Sequence, residues 1–182
     1  TTVFQTTQKT LNTSPILHKS PMKPLYLLPL FLLFLVSCEI PDDPNYSGSL
    51  DAIIEKNKSK ITITTGIAGT LLKVEGNCMP IIEPGSTCRT YPVSRTLNIY
   101  EYTTIKDVEG WGPLYNGVNT KLIATCKADK SGFFQTELKP GKYSIFIREG
   151  KKFYANGGDG YGGINPITVQ ADSVFYIVLR LD

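Results

Sequence analysis

The stretch Lys152-Phe153-Tyr154-Ala155-Asn156-Gly157-Gly158-Asp159-Gly160-Tyr161-Gly162-Gly163 gathers aromatic rings, an amide and a carboxylate on a flexible, glycine-rich segment. Phe153, Tyr154 and Tyr161 are suited to stack on sugar rings while Asn156 and Asp159 hydrogen-bond the hydroxyls, which makes this a candidate ligand loop. The oxygens of Asn156 and Asp159 also suit calcium, but the repeated alternating Asp of a calcium loop is absent, so no metal is expected. Phe153 and Tyr154 have a second reading as the end of a strand. A further aromatic stretch, Val108-Glu109-Gly110-Trp111-Gly112-Pro113-Leu114-Tyr115-Asn116, brings in Trp111. Its expected place is a cap over one end of the core, with ligand contact as the alternative.

Catalysis has few residues to draw on. The only histidine, His18, precedes the export signal described below, so the remainder of the chain has none. That removes Ser-His-Asp and Cys-His chemistry and the commonest metal ligand. Glu101, Glu109 and Asp159 are the candidates for a carboxylate hydrolase, which needs two carboxyl groups ~5–10 Å apart in one concave site. An interaction module is the favoured expectation over this hydrolase.

Four cysteines are present. Cys78 and Cys88 flank the Pro- and Gly-rich run Met79-Pro80-Ile81-Ile82-Glu83-Pro84-Gly85-Ser86-Thr87. In an oxidising compartment they are expected to pair, with two reduced surface thiols as the alternative. Cys126 alternates with strand neighbours and reads as a small buried residue.

The elements that must position these residues are short strands. Alternation or apolar runs occur at residues 66–74, 96–103, 121–127, 132–138, 142–148, 167–169 and 173–181, with a further alternation at 61–64. About seven strands separated by turn signals predict an all-β sandwich, with one short, weak helix over residues 50–60. Asp129-Lys130-Ser131-Gly132 suits a type I-like turn and Lys139-Pro140-Gly141-Lys142 a type II turn. Together they predict a three-strand meander from residue 121 to 148.

Met22-Lys23-Pro24-Leu25, an apolar run to Val36, and then Ser37-Cys38 set the address. At ~1.5 Å per residue, residues 25–36 fall well short of the ~30 Å hydrocarbon core. Pro29 inside the run and the absence of a polar face argue against a core helix. The basic start, apolar centre and small residue before the cut fit an export signal. Leu35-Val36-Ser37-Cys38 resembles the lipobox of bacterial lipoproteins, in which cleavage precedes a cysteine that then carries lipid. The resemblance implies lipid, palmitate included, on Cys38, with no other cofactor, and an outer-membrane address. Residues 1–21 are expected to lie upstream of the start at Met22, 22–37 to be the signal, 38–60 the lipidated cysteine and tether, and 61–182 the domain.

Three lysines (Lys9, Lys19, Lys23) and no acidic residue precede Cys38, so the net charge of +3 falls to zero beyond it. With no basic cluster beyond Lys151-Lys152, nucleic acid is not expected as a partner. The expected partners are the membrane, through the anchor, and a glycan or an envelope protein.

A second resemblance rests on Thr125 with Asp129-Lys130-Ser131-Gly132-Phe133-Phe134, on Leu138-Lys139-Pro140-Gly141-Lys142-Tyr143, and on the opening Gly66-Ile67-Ala68-Gly69-Thr70-Leu71. These blocks resemble the carboxypeptidase regulatory-like (transthyretin-like) domain, within residues 65–182. The resemblance implies a prealbumin-like, seven-strand Greek-key sandwich without catalytic function. Transthyretin-like hydroxyisourate hydrolases use histidines and a Tyr-Arg-Gly-Ser ending. Here the last residues are Leu179-Arg180-Leu181-Asp182, so that branch is not expected. Gly76-Asn77-Cys78-Met79-Pro80 is similar to surface lipoproteins of the Bacteroidota. Glu39, Asp42 and Asp43 loosely resemble the acidic surface-export signal of that phylum, and a generic acidic linker reads equally well.

Overall fold

The computed structural model describes residues 48–79 and 87–182, all within the unit Cys38–Asp182. The signal, Cys38 and the acidic tether up to residue 47 lie outside the described residues. So does the centre of the loop between Cys78 and Cys88.

Two sheets share one core. In the first, the long strand β1 (Gly66–Glu75) runs parallel to the last strand, β12 (Val174–Leu181), over residues 66–73. Its other edge is divided between β8 (Phe133–Glu137) and β2 (Arg89–Pro92), both antiparallel to it. In the second sheet β9 (Gly141–Glu149) is central. It pairs with β3 (Thr96–Glu101) on one edge, and with β11 (Pro166–Val169) and β10 (Lys152–Tyr154) on the other. β7 (Leu122–Lys127) continues the sheet beyond β3, and β5 (Leu114–Tyr115) adds to β10. A small ribbon of β4 (Val108–Glu109) and β6 (Gly117–Val118) completes the strands among the described residues.

Alternation places the core. Ile67 and Leu71 of β1, Phe134, and Leu179 and Leu181 of β12 face Leu97 and Ile99, Tyr143, Ile145 and Ile147, and Ile167 and Val169 from the second sheet. Burying each such aliphatic side chain contributes about 1.5–3 kcal/mol. The intervening residue of β9, Phe146, is buried too, but on the opposite face with Tyr100, Ala155 and Ile164. Both faces of the second sheet are therefore covered, which is why β9 reads as a continuous apolar run.

The expected helix forms over Leu50–Lys58, with the Ser49 hydroxyl accepting the Ala52 N–H at 3.4 Å as an N-cap. It covers the outer face of the first sheet through polar contacts rather than an apolar stripe. Asn57, fully buried, donates to the Thr70 hydroxyl and to the Ser131 carbonyl, both at 2.9 Å, and accepts from the Ser131 hydroxyl at 2.9 Å. The Tyr176 hydroxyl lies 2.7 Å from that of Thr70 and donates to the Ile54 carbonyl at 3.2 Å.

The motif residues have visible roles. In the turn at 129–132 the Gly132 N–H donates to the Asp129 carbonyl at 2.9 Å, and Asp129 Oδ1 accepts the N–H groups of Ser131 and Phe133. Partial burial raises the Asp129 carboxyl, but hydrogen bonds from Ser131, Lys60 and Phe133 outweigh it and hold the carboxyl below its ordinary range. Gly132 has φ +74°, and a Cβ there would stand 2.3 Å from the Leu71 carbonyl oxygen. Only glycine serves at that position.

Three expectations need correction. β7 and β8 do not pair: β7 joins β3 and β8 joins β1, so the 129–132 turn carries the chain from one sheet to the other and there is no meander. The 139–142 turn is not type II, because Gly141 lacks a positive φ. The Tyr143 hydroxyl instead donates to the Lys139 carbonyl at 2.8 Å, a tyrosine-corner closure, and a Cβ on Gly141 would meet that ring at 3.1–3.2 Å. Residues 61–64 form no strand, since the chain there is linking the helix to β1.

Candidate functional site

Two excursions rise from the outer face of the second sheet. Residues 102–120 leave β3 and return to β7 carrying the β4–β6 ribbon and β5. Residues 155–165 connect β10 to β11. Beneath them, Tyr100, Tyr115, Phe146 and Phe153 pack edge to face, with ring centroids 5.6–6.5 Å apart. A cleft of about 750 Å³ lies above, with one wall drawn from residues 105–115 and the other from 155–164. Ile105, Val108, Tyr115, Ala155 and Ile164 give it an apolar floor, and glycines supply much of the remainder.

The 155–165 segment is stitched down rather than flexible. The Ile164 N–H donates to the Thr103 carbonyl at 2.9 Å and the Ile105 N–H to the Gly162 carbonyl at 3.0 Å, tying one wall to the other. Asn165 holds the base: its Oδ1 accepts the Gly157 N–H at 2.6 Å and its Nδ2 donates to the Ile145 carbonyl at 3.2 Å. The opposite wall has its own clasp, where Asp107 Oδ2 accepts from the Thr104 N–H and hydroxyl at 2.9 and 2.7 Å. Those Thr104 bonds lower the Asp107 carboxyl.

Asp159 organises the loop tip. Its Oδ1 accepts the N–H groups of Tyr161 and Gly163 at 2.9 and 3.0 Å, and its Oδ2 accepts from the Tyr102 hydroxyl at 2.7 Å and Lys142 Nζ at 3.3 Å. Lys142 Nζ in turn sits 4.0 Å over the Tyr102 ring. The Tyr102 hydroxyl, then the Tyr161 N–H, are the main influences that hold this carboxyl well below the usual range. The Tyr102 phenol is raised in return, chiefly by the same hydrogen bond. With Oδ1 engaged by its own loop and Oδ2 by Tyr102 and Lys142, Asp159 positions the site and does not read as a ligand group. Tyr102 and Lys142 escaped sequence reasoning, because nothing in their local pattern points to a residue some distance away.

The remaining candidates separate. Trp111 is 96% exposed, so it is not the expected cap on the core; it lines one wall of the cleft. Tyr161 is 91% exposed, between the lining residues Gly160 and Gly162. Tyr154 is withdrawn as a ligand contact. It is 2% exposed because its position in β10 turns the ring into the shared core, with its hydroxyl donating to Asp182. Burial, then that contact, pushes its phenol up to about 12. Phe153 faces the other way, half-buried against Phe146 with the Arg148 guanidinium 4.3 Å over its ring, and does not itself line the cleft. Asn156 lines the cleft while its Nδ2 donates to Asp182 Oδ1 at 2.7 Å.

None of Glu101, Glu109 and Asp159 lines the cleft. Glu101 is exposed at the end of β3, and Glu109 is exposed in β4 with its carboxylate against Gly117. Among the described residues no group of three His, Cys, Asp or Glu side chains could hold a metal ion. Cys78 and Cys88 form a disulfide, with Cα atoms 4.6 Å apart. Cys126 is a free, half-buried thiol packed against the core, pushed up to about 11 by burial. Cys38 lies outside the described residues.

No protein family, curated protein or solved structure matches the chain.

Proposed function

We propose that this is a membrane-anchored lipoprotein whose sandwich works by contact rather than catalysis, binding a glycan or an envelope protein through the cleft above the second sheet. The anchor is lipid on Cys38, and the address is the outer membrane, with the domain exposed at the cell surface. The sandwich is of the prealbumin-like, carboxypeptidase regulatory-like type.

The observation that carries the reading is the pairing of exposed rings with the absence of acid groups. Trp111 is almost fully exposed on one cleft wall and Tyr161 almost fully exposed at the rim of the other, while none of the candidate catalytic carboxylates lines the cleft. Tryptophan and tyrosine are enriched where proteins make binding contacts. The anchor is supported by the Leu35-Val36-Ser37-Cys38 lipobox. Among the described residues no helix is long and apolar enough to cross a membrane. The fold type is supported by the Asp129–Gly132 turn and the Tyr143–Lys139 closure, which give the motif residues structural work.

Labelling cells with radioactive palmitate tests the anchor. The native protein takes up label and fractionates with the outer membrane, and Cys38→Ser abolishes both. Equal labelling of the two forms refutes it.

A further inference from the structure

We infer that the cleft takes an uncharged saccharide, stacked on the Trp111 indole and the Tyr161 phenol; this deepens the binding reading above and rests on it. Three features of the lining point to this ligand class.

The first is charge. No Asp, Glu, Lys or Arg side chain lines the cleft, and its single ionisable group, the Tyr115 phenol, is raised by burial and stays neutral. Asp159, in the loop that forms one wall, is paired with Lys142 at 3.3 Å. A carboxylated, sulfated or phosphorylated ligand would leave its hydration shell and meet no counter-charge.

The second is the polar surface. Seven of the lining residues are glycines, so much of the walls is main chain. The Gly157 and Gly163 N–H groups and the Gly157 and Gly162 carbonyls are engaged within the loops, and Gly112 and Gly160 stand open. At Gly112, Gly160 and Gly162 a Cβ would meet nothing within 4 Å, which shows how open the backbone stands there. A hydroxyl both donates and accepts, and can therefore answer both kinds of group. A proline-rich segment offers almost only acceptors, and a lipid tail offers neither.

The third is the placement of the rings. Trp111 belongs to one wall and Tyr161 stands at the rim of the other, between the lining residues Gly160 and Gly162, and the clasp through Asp159, Tyr102 and Lys142 holds the Tyr161 backbone in place before any ligand arrives. A preset aromatic platform takes the apolar face of a pyranose with little ordering cost.

Trp111 is the only tryptophan of the chain, so its fluorescence reports on this cleft alone. The test titrates the purified full-length protein with neutral gluco-, manno-, xylo- and N-acetylglucosamine oligosaccharides. Polygalacturonate and a proline-rich peptide form the comparison arms. The expected result is a blue shift and loss of acrylamide quenching with at least one neutral oligosaccharide. Tyr161→Ala should weaken that response about tenfold and Tyr161→Phe should retain it. A stronger response to polygalacturonate overturns the inference. So does a response to the peptide with none to any saccharide, although binding at the cleft then survives. No response in any arm overturns the inference and the binding reading at this cleft together.

Discussion

Removing the Asn57 side chain should release the helix over Leu50–Lys58 from the first sheet. Asn57 is fully buried and makes hydrogen bonds of 2.9 Å with the Thr70 hydroxyl, the Ser131 carbonyl and the Ser131 hydroxyl. Each is worth about 0.5–1.5 kcal/mol net, and more where a partner is left buried and unsatisfied. Thr70 keeps Tyr176 at 2.7 Å and the Ser131 hydroxyl keeps Asp129 at 2.7 Å, so the Ser131 carbonyl is the group most exposed to loss. Asn57→Ala should therefore cost about 2–4 kcal/mol, a fall in Tm on the order of 10 °C for a domain of this size. Urea and thermal unfolding measure the cost, and hydrogen exchange locates it: amides of Leu50–Lys58 should lose protection ahead of those in β1 and β9. Lys58→Ala, which removes the exposed pair with Glu55 and an ammonium 5.6 Å from the centre of the Tyr176 ring but none of the buried hydrogen bonds, is the control and should lower Tm far less than Asn57→Ala. A loss below ~0.5 kcal/mol with helix protection intact would refute the claim that buried polar contacts dock this helix.

Gly132→Ala should be among the most damaging small substitutions, costing at least ~2 kcal/mol, because a positive φ and a carbonyl 2.3 Å from the new Cβ act together; a chemical denaturation midpoint near the native value would contradict this. Tyr154 is raised to about 12, so the stability it contributes is complete below the unfolded phenol value near 10 and is lost as pH rises toward 12. Unfolding curves between pH 9 and 12 should fall for the native protein and fall less steeply for Tyr154→Phe. The Cys126 thiol, pushed up to about 11, should react with Ellman's reagent at pH 8 at least about tenfold more slowly in the folded than in the unfolded protein. Reduction of the Cys78–Cys88 disulfide should remove about 3 kcal/mol in the chain-entropy model, read as a fall in the urea midpoint under reducing conditions.

Strands that alternate or bury both faces were legible in the sequence. β1, β3, β7, β8, β9, β11 and β12 all lie on the expected segments, because their patterns report burial directly. What the strands pair with was not legible. A turn such as 129–132 has the same chemistry whether it closes a hairpin or crosses between sheets, and the meander failed on that ambiguity. The two-residue strands β4, β5 and β6 are too short to carry a period, so the excursion that builds one wall of the cleft left no trace beyond its glycines and Trp111. The site loop was found from its composition, but its internal order was not. Tyr154 and Phe153 face opposite sides of one strand, which sends one ring to the core and the other to the aromatic cluster on the sheet's outer face. Asp159 looked like a ligand group because carboxylates in glycine-rich loops can be one. Only the positions of Tyr102 and Lys142 reveal that it holds the loop.

The central claim is that this domain acts by contact at the cleft formed by residues 105–115 and 155–164. Nitrogen-15 NMR of the full-length protein during titration with a neutral oligosaccharide that shifts Trp111 fluorescence tests it most directly. The account predicts shift changes at the Trp111 indole N–H and at the amides of Gly112, Gly160, Tyr161 and Gly162, with those of β1 and β12 unmoved. Changes centred on the first sheet, or on Glu101 and Glu109 with the oligosaccharide being cleaved, would contradict it.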